Sequence, residues 1–403
     1  MIERTAKEAF VRLASQFPVV AITGPRQSGK TTLARTVFPD KQYVSFDDRY
    51  YRELARNAPK DFLLAFPDGV IIDEAQKEPA IFDALKLFVD KNPYEAGRYI
   101  VTGSSQLVLK NMADSLAGRI ASLRLLPFSI EELKDDGRLP EYAHELAFKG
   151  QYPPLYDPER NFIPEDWFDN YIDSYLDLDV KDEIKPSNLA VFRKFIQVCA
   201  AYSGQMASME AISNALGVSS PTVKSWLSIL EASYIVHFLQ PDGNNLGKTL
   251  VKTPKLYFVD TGLLCHLLRI TTKEQLLLSP HKGAVIETMA VSELLKDRFN
   301  QGRKANLSFF RDLAGFEVDT IADWDRTYAI EIKSDSSPEK QYGKNTRKYL
   351  ELRKDSDAKA VVFYLGDISC TVNGVRYISW KDWPTISGAE SPSRVLSEAG
   401  PTG

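Results

Sequence analysis

The chain has 403 residues, of which 44% are hydrophobic and 26% are charged, a composition typical of a globular protein with about two or three domains. The formal net charge of −4 excludes a surface covered with basic side chains, so any nucleic-acid-binding surface must be local. The three cysteines stand singly and far apart, which argues against a disulfide framework and against a structural zinc site.

No stretch approaches the roughly 18 consecutive apolar residues of a membrane-spanning helix. The segment from Met1 to Glu8 lacks the apolar core of a secretory signal peptide. We therefore expect a protein of the reducing cytoplasm that makes no membrane contact.

A phosphate-binding pattern follows the first apolar run. The pattern Gly-x4-Gly-Lys-Thr occupies residues 24–31, between a strand-like run at 17–23 and a helix-like stretch at 32–38, a context that a chance match would lack. Glycines let backbone N–H groups point at phosphates, and the following helix N-terminus adds partial positive charge. We expect Lys30 to reach the β- and γ-phosphates and the Thr31 hydroxyl to bind Mg²⁺. The expected nucleotide contacts are Gly24, Pro25, Arg26, Gln27, Ser28, Gly29, Lys30, Thr31 and Thr32.

Residues 1–150 alternate short apolar runs with amphipathic segments, the pattern of a parallel sheet covered by helices. The strand-like runs are 17–23, 43–46, 69–72, 99–102 and 121–126. The third run leads directly into Asp73 and Glu74, and ligands of open α/β sheets bind at the carboxyl ends of the strands. We expect Asp73 to hold Mg²⁺ and Glu74 to polarise the attacking water. A pair of helix-capping carboxylates is the alternative.

Two further side chains are candidates for this site. The fourth run leads into Thr102-Gly-Ser104, where the Ser104 hydroxyl is placed to sense a γ-phosphate, although ordinary turn chemistry explains a serine there nearly as well. An arginine beside a nucleotide can act as an arginine finger, within its own chain or from a neighbouring subunit. We favour Arg119 over Arg124 for that role, with a surface ion pair as the alternative.

Several motifs of the first domain belong together: the loop at 24–31, Ile72-Asp-Glu-Ala-Gln76, Thr102-Gly-Ser104, Leu116-Ala-Gly-Arg119 and Leu126-Pro-Phe-Ser129. As a set they resemble a family of prokaryotic AAA-type ATPases, and the resemblance covers nearly the whole chain. It implies an ATP-binding domain paired with an uncharacterised C-terminal region of the DUF4143 type. The chain has no Asn-Lys-x-Asp guanine-reading motif, which favours ATP over GTP.

Residues 151–270 are expected to link the first domain to the last. They open with a proline-rich stretch at 151–158, predicted to be an extended hinge. A helical stretch at 167–183 follows, whose aromatic stripe indicates core packing. Residues 190–240 then follow the pattern of a winged helix–turn–helix, with its turn at 217–220.

A winged helix–turn–helix usually places its last helix in the major groove of DNA. The basic residues within the segment are Arg193, Lys194 and Lys224, a thin supply for phosphate contacts. Lys248, Lys252 and Lys255 lie just beyond it and would add to that supply. DNA contact and a purely structural or protein-contact role therefore stay equally open.

Residues 271–385 predict a second α/β domain with the order helix, three strands, helix, strand. The elements are expected at 283–299, 307–311, 316–321, 328–333, 340–353 and 360–365. Glu331 and Lys333 lie two apart on a strand and therefore share a face, which Asp319 on the adjoining strand can meet. Two carboxylates beside a lysine are suited to metal-assisted phosphodiester hydrolysis.

These residues, with Glu287 on the first helix, resemble the core of the restriction-endonuclease-like fold. The resemblance implies a Mg²⁺ site formed by Glu287, Asp319 and Glu331, with Lys333 beside it. Two alternatives stay open: an inactive remnant used for contacts, and a cross-strand ladder of ion pairs. The tail at 386–403 is rich in Ser, Gly and Pro and is expected to be disordered.

The expected fold is thus an α/β chain with a P-loop parallel sheet of AAA or RecA type, a winged helix–turn–helix and a restriction-endonuclease-like α/β domain. We expect a Mg²⁺-dependent ATPase that couples ATP turnover to DNA binding or processing. The alternative is a nucleotide-dependent switch or adaptor whose nuclease-like domain is inactive. A phosphate-loop kinase is disfavoured because no segment resembles a substrate lid. DNA is one candidate partner, and a second copy of the chain is another if Arg119 acts across a subunit interface.

Overall fold

The computed structural model describes residues 1–92, 94–104, 116–176, 180, 184–243, 251–339 and 341–386. Apart from Ile386, the tail expected to be disordered lies outside the described residues, as do Lys248 and part of the helical stretch expected at 167–183. None of the described helices is both long and apolar enough to cross a lipid bilayer.

The first sheet has five strands, and every pair in it is parallel. Its strands are β1 (Val19–Thr23), β2 (Gln42–Ser45), β3 (Val70–Asp73), β4 (Tyr99–Gly103) and β5 (Ile120–Arg124), in the order β2-β3-β4-β1-β5. Strands β1, β3 and β4 are buried at every position, as expected for a parallel sheet covered on both faces. Each predicted run agrees with its strand to within two residues, so the predicted parallel sheet is confirmed.

Helices cover both faces of this sheet. They are α1 (Ala6–Ala14), α2 (Lys30–Val37), α3 (Arg49–Asn57), α4 (Pro59–Leu64) and α5 (Ile81–Lys91). Side chains alternate along β1, so Val20 and Ile22 pack with α1 and α2. Val19 and Ala21 pack on the opposite face with α4 and α5.

The three helices that follow are α6 (Ile130–Asp135), α7 (Ala143–Lys149) and α8 (Pro164–Tyr175). Helix α6 begins with a capping box between Ser129 and Glu132. The Ser129 hydroxyl accepts a hydrogen bond from the Glu132 N–H, and the Glu132 carboxylate accepts one from the Ser129 N–H. Two backbone donors at the start of the helix are thereby satisfied.

The stretch at 151–158 is not the extended hinge predicted from its prolines. Tyr152 is fully buried, and a 3-10 turn spans Pro153–Tyr156. The Tyr152 ring packs against Trp167 and Tyr171 of α8, with ring centroids 5.0 and 4.9 Å apart. Aromatic burial of this kind fixes the segment in place, which the proline pattern alone did not indicate.

The next elements are α9 (Leu189–Ala201), β6 (Gln205–Met206), α10 (Met209–Leu216), α11 (Ser220–Ala232), β7 (Val236–Pro241) and β8 (Lys255–Phe258). Helix α10 ends at Gly217, whose φ of 67° is left-handed. Helix α11 begins after Ser219, whose hydroxyl accepts from the Thr222 N–H, with Pro221 in its first turn. The predicted turn at 217–220 therefore lies between α10 and α11, as expected.

The C-terminal elements are α12 (Thr261–Leu267), α13 (Lys273–Leu278), α14 (Lys282–Asn300), β9 (Leu307–Arg311), β10 (Glu317–Asp323), β11 (Thr327–Ile332), α15 (Lys344–Arg353), β12 (Lys359–Tyr364), β13 (Cys370–Val372) and β14 (Val375–Ser379). A second sheet has the order β13-β14-β12-β11-β10-β9-β7-β8-β6. Strand β7 pairs in parallel with β9 through Gln240 and Pro241, so the strands around α10 and α11 continue into the C-terminal sheet. The sequence did not predict this junction.

Buried charges hold helix α14 against the segment that follows the first sheet. Glu293 and Lys296 are both fully buried, and Lys296 Nζ lies 2.8 Å from Glu293 Oε1. Gln151 completes the group, because its oxygen accepts from Lys296 at 2.6 Å and its amide donates to Glu293 at 2.8 Å. The backbone N–H of Ile130 donates to the other Glu293 oxygen at 2.7 Å. A buried ion pair is tolerated only when such additional hydrogen bonds are made.

We predict that Lys296→Met destabilises the protein by about 3–5 kcal/mol, because it leaves the Glu293 carboxylate buried without its cation. Urea unfolding followed by circular dichroism measures the loss. The matched control is Lys273→Met, which removes an ion pair to Glu145 at the surface and should leave the unfolding curve unchanged. Equal effects of the two substitutions would contradict the role given to the buried pair.

Candidate functional site

The phosphate loop stands at the carboxyl edge of the first sheet, directly after β1. The Lys30 side chain is buried over this loop, and its Nζ donates to the carbonyls of Gly24 and Pro25 at 3.0 and 2.7 Å. Gly29 precedes α2 with a left-handed φ of 92°. The helix N-terminus therefore points into the loop, which is the arrangement that attracts phosphate.

Two local observations fit a phosphate in this loop. Ser28 Oγ is buried and has no hydrogen-bond partner among the described residues, so a donor is free to face an anion. A Cβ on Gly24 would lie 2.0 Å from the carbonyl oxygen of Leu125, so the backbone can run so close to the end of β5 only with glycine.

Asp73, at the end of β3, gathers three hydroxyl groups from three elements. Thr31 Oγ1 donates to its Oδ1 and Tyr43 OH donates to its Oδ2, both at 2.9 Å, and Thr102 Oγ1 also donates to Oδ1. Burial and the adjoining Asp73 charge raise the pKa of Tyr43 to about 12, so the phenol keeps its proton as a donor. The predicted pair of Thr31 and Asp73 is thus brought together, while Tyr43 was missed because its strand showed only an apolar pattern.

Glu74 follows Asp73 in a left-handed conformation, with a φ of 53°. Its carboxylate accepts a hydrogen bond from the Gln76 amide, which also donates to Ser104 Oγ at 3.2 Å. Burial raises the pKa of Glu74, and the nearby charges of Lys30 and Arg26 oppose that rise. Glu74 and Ser104 therefore lie on one side of the site, connected by a glutamine whose role the sequence did not suggest.

Arg119 does not reach this edge in its own chain. It precedes β5, where its carbonyl accepts from the Val19 N–H at 3.3 Å, and its guanidinium pairs with Asp90. The loop begins at the far end of β1, five residues or about 16 Å away. Arg124 pairs with Thr23 in the register of β1 and β5, and its guanidinium lies 4.9 Å from the centre of the Phe299 ring. Within one chain, Arg119 makes the surface ion pair that was the alternative to an arginine finger.

Arg4 bonds to the outer side of the phosphate loop. No sequence motif predicted this role for it. Its guanidinium donates to the carbonyl of Ser28 at 2.7 Å and to that of Leu126 at 2.6 Å. Arg4 Nε donates to Glu132 Oε1 at 3.0 Å, the same residue that closes the capping box of α6. A planar guanidinium with several fixed donors suits such a bridge between three segments.

A cavity of about 860 Å³ opens beside the first turn of α2. Gly29 and Thr32 form its wall on the loop side, and Phe128, Pro153 and Tyr156 line it across from them. The packed stretch after α7 is therefore one wall of a space that adjoins the phosphate loop.

The end of β1 touches the segment that follows α11. Thr23 Oγ1 and Tyr234 OH are 2.6 Å apart and buried, although 211 positions separate them in the chain. Tyr234 has a left-handed φ of 59°, which a tyrosine adopts only when its surroundings hold it there. The residue just before the phosphate loop is thus in direct contact with the segment that follows helix α11.

The carboxylates expected to bind metal in the C-terminal part are engaged with the protein itself. Asp319 Oδ2 accepts from the Ile332 N–H at 2.8 Å, and burial, with the nearby Glu287 charge, raises the pKa of Asp319 to about 7. Glu331 accepts from the Gly343 N–H at 2.7 Å and pairs with Lys333 at 2.7 Å. Within the described ranges, no group of three or more His, Cys, Asp or Glu side chains is arranged to hold a metal ion.

Lys255 is buried among these acids and does not face solvent as expected for a phosphate contact. Its Nζ lies 3.0 Å from Glu287 Oε1 and 2.6 Å from Glu317 Oε1, and its side chain is 4% exposed. Tyr257 OH donates to the same Glu287 oxygen at 2.6 Å. Lys255 is therefore too buried to contact a DNA phosphate.

Three family models match the chain in succession. One described as an AAA domain matches residues 16–134, one described as a domain of unknown function (DUF8612) matches 140–274, and one described as a domain of unknown function (DUF4143) matches 282–383. Two mycobacterial proteins, Uncharacterized protein Rv2008c of Mycobacterium tuberculosis and Uncharacterized protein Mb2031c of Mycobacterium bovis, are 31% identical to this chain over 348 residues. Each alignment covers 84% of this chain and 75% of the relative.

Among solved structures, the Walker-type ATPase PABY2304 of Pyrococcus abyssi is 15% identical, with a TM-score of 0.42 over 66% of this chain and 96% of that chain. RuvB of Thermotoga maritima is 18% identical, with a TM-score of 0.29 over 58% and 85%. Scores of this size mark a partial likeness and support no conclusion about function.

The phosphate loop, the paired acids of β3 and the matches along the chain agree. The protein belongs to a family of AAA-type P-loop ATPases that carry a C-terminal domain of the DUF4143 type.

We predict that Gly24→Ala abolishes ATP binding, because its new methyl group would collide with the Leu125 carbonyl and push the loop out of shape. Titration with a fluorescent ATP analogue measures the loss. Gly283→Ala is the matched control, since a Cβ there meets nothing within 4 Å and the residue lies in the first turn of α14. Normal ATP binding by Gly24→Ala would show that the loop does not use this geometry.

Proposed function

We propose that the protein binds ATP with Mg²⁺ at the carboxyl edge of its first sheet and hydrolyses it there. One observation carries the proposal: the Thr31 hydroxyl of the phosphate loop bonds to Asp73, 42 positions away, at the end of a neighbouring strand. A hydroxyl and a carboxylate so paired are the oxygen ligands that Mg²⁺ prefers beside phosphates.

Each residue of the loop has a defined task. Lys30, which now donates to carbonyls of its own loop, would exchange those bonds for the β- and γ-phosphates. Thr31 keeps free lone pairs on the hydroxyl that donates to Asp73, so it can face a cation while that bond persists. Mg²⁺, when bound, neutralises charge on the phosphates. Ser28 and the loop N–H groups complete the anion cradle.

Glu74 is the proposed general base, which takes a proton from the attacking water. Gln76 holds its carboxylate toward Ser104, on the side of the site where a γ-phosphate would end. A buried carboxylate with a raised pKa is a better base than an exposed one at neutral pH. Ser104 is then positioned to sense whether the γ-phosphate is present.

The cavity beside α2 is the proposed place of the nucleotide base. It opens next to Thr32, and Phe128 and Tyr156 are among the residues that line it. The missing Asn-Lys-x-Asp motif favours adenine over guanine.

The segment from α9 to β8 is proposed to be a winged helix that conveys the nucleotide state. It has the element order helix, strand, helix, helix, strand, strand, and Tyr234 connects it to the residue before the loop. Ser220, Lys224, Ser225 and Ser228 are exposed along α11. Short hydroxyl side chains around one lysine suit close approach to a DNA backbone, although they supply little charge.

Arg119 is proposed to act as an arginine finger between subunits. Its side chain is one-third exposed at the edge of the sheet opposite the loop, where a second copy could approach it. A homo-oligomer in which one copy offers Arg119 to the loop of the next is the assembly this proposal implies.

A second candidate function is a nucleotide-dependent adaptor with no nuclease activity. The specific observation in its favour is the commitment of Glu287, Asp319 and Glu331 to donors of the protein itself. In that case the C-terminal restriction-endonuclease-like domain serves contacts rather than chemistry.

We predict that Glu74→Gln keeps ATP binding and lowers kcat by about 10²–10⁴-fold, because the general base is lost while the phosphate contacts remain. Phosphate release measures kcat, and Lys30→Ala is the comparison that loses binding itself. In the unsubstituted protein, kcat should fall in mildly acidic buffer, because the raised pKa of Glu74 lets it take up a proton at higher pH than an ordinary glutamate. Full activity of Glu74→Gln would exclude Glu74 as the base.

We predict that double-stranded DNA stimulates ATP hydrolysis and that Tyr234→Phe abolishes the stimulation but not the basal rate. The substitution keeps the ring and removes the hydroxyl, which bonds to Thr23 and also interacts with Arg124. ATPase assays with and without single- and double-stranded DNA, with the DNA scored for cuts in the same tube, test this.

Lys224→Ala should weaken DNA binding equally for all sequences. Absence of any DNA effect would favour the adaptor.

A further inference from the structure

The acidic cluster of the C-terminal part already contains a cation. Lys255 begins β8, and its ammonium group lies between Glu287 of α14 and Glu317 of β10, at 3.0 and 2.6 Å. The side chain is 4% exposed, and its charge also lies 5.5 Å from the centre of the Phe309 ring. A lysine is almost never buried to this extent unless it is paired, and here it is paired twice.

The oxygens around this ammonium are occupied by other donors as well. Glu287 Oε1 accepts from Tyr257 OH at 2.6 Å, and Glu317 Oε2 accepts from Arg311 Nη1 at 2.8 Å. Asp319 Oδ2 is turned toward the Ile332 backbone N–H. Mg²⁺ demands near-ideal octahedral geometry at about 2.0–2.1 Å from its oxygens, so these contacts would have to break before it could bind.

The positive charge of Lys255 also opposes the binding of a divalent ion. A divalent ion placed among these carboxylates would stand within a few ångströms of the fixed positive charge of Lys255, and the two would repel strongly because the site is buried. Arg311 supplies a second positive charge to Glu317. The residues expected to hold Mg²⁺ therefore do not fit a metal ion while Lys255 is in place.

We propose that Lys255 is the resident cation of the cluster formed by Glu287, Glu317 and Asp319, and that the cluster for this reason holds no divalent cation. The inference does not depend on ATP hydrolysis. Because Lys255 lies on β8, its ammonium also fastens the strands beside the helix–turn–helix segment to helix α14 and strand β10.

The test is Mn²⁺ binding to the full chain without nucleotide, followed by electron paramagnetic resonance. We expect the unsubstituted protein and Asp319→Asn to bind the same number of Mn²⁺ ions, because Lys255 already neutralises the cluster. Lys255→Arg, which keeps the charge, should bind that same number. None of these substitutions lies in the phosphate loop. An Mn²⁺ bound there adds equally to the ion count of every variant and does not affect the difference between them.

Thermal unfolding supplies a second readout. Lys255→Met should lower the unfolding temperature more than Lys273→Met does, because it removes a buried cation from two carboxylates while Lys273 pairs at the surface. An unsubstituted protein that binds an Mn²⁺ which Asp319→Asn abolishes, with or without DNA, would overturn the proposal. So would equal unfolding temperatures of Lys255→Met and Lys273→Met.

Discussion

The fully buried pair of Glu293 and Lys296 holds helix α14 against the segment that follows the first sheet. Its charges are tolerated because Gln151 and the Ile130 N–H, both from the segment that follows the first sheet, complete the hydrogen bonds. Moving helix α14 away from Gln151 and Ile130 would therefore leave a buried charge without its partners. Thr23 at the end of β1 makes a second long-range contact, with Tyr234.

At the nucleotide edge, the geometry is prepared in advance by side chains from separate elements. Asp73 accepts hydroxyls from the loop helix, from β2 and from β4, so its carboxylate cannot rotate freely. Arg4 similarly fixes the outer side of the loop through the Ser28 carbonyl. Fixed dipoles of this kind favour catalysis because little reorganisation is needed when charge develops.

In the second sheet, acids spaced as in a metal-dependent nuclease take part in ion pairs within the protein. The buried Lys255 ammonium pairs with one of them, Glu287, and with the neighbouring Glu317. The segment from α9 to β8 is likewise not a separate module, because β7 pairs with β9 and extends the C-terminal sheet. Lys255 of β8 connects this segment with helix α14 and strand β10.

The sequence by itself determined the features that are encoded locally. The phosphate loop, the acids after β3, the strands of the first sheet and the caps around α10 and α11 all depend on residues close together in the chain. Only the tertiary structure decided that Arg119 and the loop lie at opposite edges, that Lys255 points inward, and that the stretch at 151–158 is packed. These outcomes depend on strand direction and on partners far away in sequence, such as Tyr234 for Thr23, which leave no periodic pattern to recognise.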